Sequence, residues 1–71
     1  MVEMAYVDSS NIDQIGYDET ESEVHVIFKK SGYYVYSEVN PEVWESFRNA
    51  DSKGVFLNEE FKKKAYPCRK L

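Results

Sequence analysis

The chain has one histidine, His25, and one cysteine, Cys68, and these two residues bound the chemistry open to it. A histidine acts as a general base when an acid orients it and a pocket receives the substrate. Neither is indicated around His25, which lies between Val24 and Val26. A metal site needs several donors at ligand spacing, and one His, one Cys and scattered acids do not supply it. Ser9 and Ser10 have no neighbour in sequence that would activate a hydroxyl, and they read as turn residues bonded to local backbone. Gly16, Gly32 and Gly54 are too far apart for a phosphate-cradling loop. No catalytic residue, cofactor or metal is expected, which leaves binding.

Binding chemistry is better represented. The chain carries six Tyr, four Phe and one Trp, an aromatic share of 15%. Large rings fill a small core efficiently, each burying roughly 150–250 Å², and the same rings stack bases when exposed. The net charge is −4, which opposes nucleic-acid binding by bulk electrostatics, but the charges are segregated. Residues 1–28 hold Glu3, Asp8, Asp13, Asp18, Glu19, Glu21 and Glu23 without a Lys or Arg, whereas Lys62, Lys63, Lys64, Arg69 and Lys70 follow Phe61 without an acid. Such asymmetry bears on the choice of partner.

The elements that position these groups follow from periodicity. Ile12 to Asp18 reads as a first strand, Asp18 to Ser22 as a polar turn, and Glu23 to Lys29 as a β-branched, alternating second strand. Val24, Val26 and Phe28 share one face of it, and His25, Ile27 and Lys29 share the other. A third strand runs from Tyr33 to Val39. A three-residue turn, Lys30-Ser31-Gly32, with Gly32 at positive φ sets Tyr34 opposite Phe28 and Tyr36 opposite Val26. That places Tyr34 and Tyr36 on the core face and leaves His25, Ile27, Tyr33 and Val35 on a more open one. Asn40-Pro41-Glu42 is a helix start, and Val43, Trp44, Phe47 and Ala50 form an apolar stripe. Asp51 to Gly54 ends that helix, and Val55 to Leu57 connects it to a second one capped by Asn58. Phe61 and Ala65 face the sheet from the second helix, which Pro67 stops.

The expected fold is therefore α+β: a three-stranded antiparallel meander followed by two helices on one face, β-β-β-α-α. Seventy-one residues make one domain, 1–71, with its core at about 7–66 and with ends that fray. The unpaired Cys68 gives no internal disulfide, the start Met1-Val2-Glu3-Met4 is acidic, and no segment suits a membrane span. A cytoplasmic setting is expected.

Several of these segments, taken in order, resemble the KTSC domain. They are Ser9-Ser10-Asn11-Ile12, Ile15-Gly16-Tyr17-Asp18, the Val24, Val26, Phe28 alternation, Gly32, Tyr34-Val35-Tyr36, and the later series Ala50, Ser52, Gly54, Phe56, Asn58. The likeness covers about residues 7 to 66. The family's Val-Pro after the third strand is here Val39-Asn40-Pro41, one residue longer. The resemblance implies a small module that occurs alone or at the C-terminus of some lysyl-tRNA synthetases. It implies no catalytic residues and points to RNA as one partner.

Two classes of partner stay open. One is a protein or a second copy of the chain, bound at an open face bearing Ile27, Tyr33 and Val35. The other is tRNA or single-stranded RNA. Its bases would stack on Tyr33 and His25, or on Tyr34 and Tyr36, and its phosphates would meet Lys29, Lys30, Lys62, Lys63 and Lys64.

Overall fold

A computed structural model describes residues 2–71, which form an α+β domain with five strands rather than three. β1 (Met4–Tyr6), β2 (Ile12–Asp18), β3 (Glu23–Phe28), β4 (Gly32–Tyr36) and β5 (Cys68–Lys70) lie side by side in chain order, each antiparallel to the next. The central three are the expected meander. The two additional strands come from the ends that were expected to fray, and each adds three residues to an edge of the sheet. Three residues cannot show a period-2 pattern, so only pairing with β2 and β4 reveals them.

The β3–β4 turn differs from expectation in position but not in consequence. It runs through Lys29, Lys30 and Ser31, so that Gly32 pairs with Phe28, Tyr34 with Val26 and Tyr36 with Val24. Gly32 does take a positive φ, +101°. A slip of one residue would exchange the two faces, whereas a slip of two preserves them. Tyr34 and Tyr36 therefore stay on the face of Val24 and Val26.

Both helices cover that face. Asn40 caps α1 (Pro41–Arg48), its Oδ1 accepting the Val43 N–H at 3.0 Å. The second helix begins six residues before its expected start: Ser52, not Asn58, is its cap, accepting the Val55 N–H at 3.3 Å. From α2 (Lys53–Phe56) the chain passes directly into a π-helical stretch, Leu57–Lys62. The wider turn brings both Leu57 and Phe61 inward. Ala65, expected to face the sheet, is instead exposed at φ 56°, where the helical path ends. Phe47, Leu57 and Phe61 join Ile12, Ile15, Val24, Val26, Tyr36 and Val39 in one core. Each such side chain contributes about 1.5–3 kcal/mol by leaving water. Among the described residues, no helix is long and apolar enough to cross a membrane.

The face away from the helices is not open as expected. Val35 is fully buried and His25 is 9% exposed. The N-terminal segment lies over it, close enough that a Cβ on Gly16 would meet Met4 Sδ at 2.5 Å and the Glu3 carbonyl at 2.8 Å. Only glycine lets that segment pass.

Candidate functional site

Phe28 ends β3 on the helix-covered face, one step beyond the shelter of α2 and its π-helical extension, and Tyr34 lies beside it on β4. Their rings meet edge to face, with centroids 5.4 Å apart. Both are half-buried, so each keeps ring surface toward solvent. They form the floor of a groove of about 470 Å³, walled by Ser10 and Asn11, by the Lys29-Lys30-Ser31 turn, and by Tyr36, Lys62 and Cys68. A pocket of this size is in the usual range for small ligands.

Lysines gather around these rings. The turn itself carries Lys29 and Lys30, both exposed. Lys62 reaches in from the π-helical stretch, its Nζ 6.0 Å from the Phe28 ring centre. Lys70 comes from β5, its Nζ 5.8 Å from the centre of Tyr34. An ammonium over a ring face at this range is attracted by the ring quadrupole. No carboxylate lines the groove. The larger hollow beside Tyr6, Tyr17 and Trp44, about 660 Å³, is different: Glu3, Asp8, Glu19 and Asp51 line it with only Arg48 and Lys53 opposing them.

The structure divides the sequence-derived candidates. Lys29, Lys30, Tyr34, Tyr36 and Lys62 come together in the groove. Tyr36 is the deepest of these, stacked on Phe61 with centroids 5.2 Å apart. Burial, with Cys68 beside it, pushes its hydroxyl pKa up to about 12. Lys63 and Lys64 do not reach the groove. They pair with Glu59 at 2.8 Å and Glu60 at 3.0 Å along their own helix, because residues four apart share a helix face. Ile27, Tyr33 and His25 lie on the other side of the sheet. His25 is too buried to stack a base, and its Nδ1 is 2.9 Å from the Tyr33 hydroxyl. Phe28 and Lys70 were missed. Phe28 alternates like a core residue, and Lys70 reaches the Tyr34 ring only because β5 pairs with β4, which sets Lys70 opposite Tyr34.

The expectation of scattered acids also needs correction. Asp18 and Glu23 are direct cross-strand partners. Donor atoms of Asp18, Glu23 and His25 lie within 4.8 Å of one another. The β2–β3 hairpin creates this cluster, which no sequence spacing displays.

Comparison with known proteins places this geometry among relatives. Residues 8–66 match the sequence model of the KTSC domain. A protein from Tsukamurella paurometabola is 40% identical over 55 residues, covering 78% of this chain and 82% of its own. An uncharacterized protein from Stutzerimonas stutzeri is 36% identical over 58 residues, 82% of each chain. The crystal structure of a KTSC domain protein from Yersinia pestis superposes with a TM-score of 0.91 at 32% identity, over 100% of this chain and 99% of that one. None of the three is described as part of a tRNA synthetase.

Proposed function

This chain belongs to the KTSC domain family, and we propose that it is a binding module whose Phe28–Tyr34 groove takes a short stretch of single-stranded RNA. One observation carries the reading. In a chain of net charge −4, Lys29, Lys30, Lys62 and Lys70 converge on two partly exposed rings without a carboxylate among them. Rings supply sequence-tolerant stacking, and ammonium groups supply the phosphate contacts that hold the strand in place. Ser10, Asn11 and Ser31 add hydroxyl and amide groups at the rim, the donors and acceptors that a 2′-hydroxyl uses. A protein partner is the second reading, favoured by Tyr6, which is 78% exposed on the edge strand β1.

Fluorescence anisotropy of labelled single-stranded RNA and tRNA, titrated at low and moderate salt, tests the proposal. Binding should weaken with salt, and each lysine that meets a phosphate should account for about 0.7 of the log–log slope. Lys62→Ala should lower both affinity and slope. Lys63→Ala should change neither, because Lys63 points away from the groove. Tyr34→Ala should cost about 1–3 kcal/mol of binding if one base stacks there. Absence of binding at low salt, or equal losses from Lys62→Ala and Lys63→Ala, would overturn the reading and turn attention to the β1 edge.

A further inference from the structure

On the opposite side of the sheet from the groove, Asp18 and Glu23 face each other across the β2–β3 ladder. Like charges directly opposite on a sheet are destabilising, so something must offset them. Arg69 does so for Glu23 alone, donating from Nη1 to Oε2 at 2.9 Å and from Nη2 to Oε1 at 3.3 Å. Asp18 Oδ1 accepts the N–H groups of Thr20 and Glu21.

His25 completes the cluster. Its Nε2 is shielded from solvent, has no hydrogen-bond partner among the described residues, and is 4.0 Å from Glu23 Oε1. The other ring nitrogen, Nδ1, is 2.9 Å from the Tyr33 hydroxyl. That hydroxyl also lies 3.9 Å from Met4 Sδ, and when it donates to the sulfur its oxygen accepts from His25 Nδ1–H, the tautomer that frees Nε2. In that tautomer the Nε2 lone pair stands within 4.8 Å of donor atoms of both carboxylates, and the protons these accept come from Arg69, Ser37 and local backbone, not from the imidazole. A metal-binding histidine has this arrangement: Nδ1–H is held by an oxygen and Nε2 is free. We propose that His25, Glu23 and Asp18 bind one divalent first-row cation.

The donor set indicates which cations fit. One imidazole with two carboxylates suits Zn²⁺ better than the all-oxygen preference of Ca²⁺ or Mg²⁺. Bonds of about 2.0–2.2 Å require the carboxylates to close inward from their present separation. Both can do so. The Asp18 side chain is half-buried, and Glu23 is restrained mainly by Arg69, whose side chain is 53% exposed and free to swing out. Arg69 is then a competitor for the same carboxylate.

His25 is the chain's one histidine, so its imidazole nitrogen resonances report on the site without assignment ambiguity. Titrating Zn²⁺ into the intact protein should move the Nε2 resonance and saturate at one ion per chain. His25→Gln should abolish the binding, and Glu23→Gln, at a less buried position, should weaken it. Tyr33→Phe should weaken it about tenfold by releasing Nδ1. Arg69→Gln should tighten it, the opposite of what a purely structural ion pair predicts. Cys68→Ser should change nothing. An Nε2 resonance unmoved by millimolar Zn²⁺ would overturn the proposal, as would binding that survives His25→Gln in a folded variant or disappears with Cys68→Ser.

Discussion

Tyr34 and Tyr36 point to the same side of β4, two residues apart, yet their surroundings assign them different roles. Tyr36 is 5% exposed and lies against Phe61 in the middle of the core. Tyr34 stands at the margin, with Phe28 on one side and the Lys70 ammonium above it. Tyr36→Ala should therefore cost about 3–5 kcal/mol of stability, as truncation of a buried aromatic does. Tyr34→Ala should cost clearly less while removing most of the RNA affinity. Paired urea denaturation and RNA titration of the two variants separate these effects, and equal stability losses would place both rings in the core alone. Residue-level reading of the sequence reached the correct face for both tyrosines through the alternation of β3 and a glycine at positive φ. It could not rank their depth, because that depends on where the π-helical stretch ends above them.

At the scale of elements, the second helix gives the clearest contrast between pattern and outcome. Asn58-Glu59-Glu60 looks like a helix start, with a capping side chain followed by acids. Ser52 takes that role because helical backbone can begin at Lys53 and bury Phe56, Leu57 and Phe61 in succession. Gly54 does not terminate a helix here; nothing lies within 4 Å of where its Cβ would be, and it occupies the first turn. Ser52→Ala should cost about 1 kcal/mol, whereas Asn58→Ala should leave the denaturation midpoint almost unchanged. Equal losses would restore Asn58 as the cap. The long strands and the capped α1 were legible because each carries its own period or end signal. β1 and β5 were not, since a three-residue edge strand is defined by its neighbour. The groove was half legible for the same reason: Lys29 and Lys30 adjoin the β3–β4 turn in sequence, while Lys62 and Lys70 arrive through packing and pairing. The Asp18–Glu23–His25 cluster was legible only in part: strand alternation puts Glu23 and His25 on one face, but the hairpin register is what sets Asp18 against Glu23.

At the scale of the whole molecule, the charge segregation seen along the sequence becomes a spatial one. In an antiparallel meander, the β2–β3 turn and the β3–β4 turn lie at opposite ends of β3. The first carries Glu19 and Glu21, the second Lys29 and Lys30. Six residues of strand at about 3.3 Å each separate these ends by roughly 20 Å. At about 0.1 M salt the Debye length is near 10 Å, so an RNA strand bound in the groove as proposed would be largely screened from the acidic turn. At about 0.01 M the Debye length is near 30 Å and the repulsion is felt. Glu19→Gln with Glu21→Gln should then strengthen RNA binding at low salt and leave it unchanged at moderate salt. Lys62→Ala, which removes a direct contact, should weaken binding at both. Anisotropy titrations of the two variants across salt distinguish a field acting from the far end of the sheet from a contact within the groove. Equal gains from the acidic-turn variant at every salt concentration would mean that the RNA reaches past the groove to the β2–β3 turn, and that the lysine cluster is only one end of a longer binding surface.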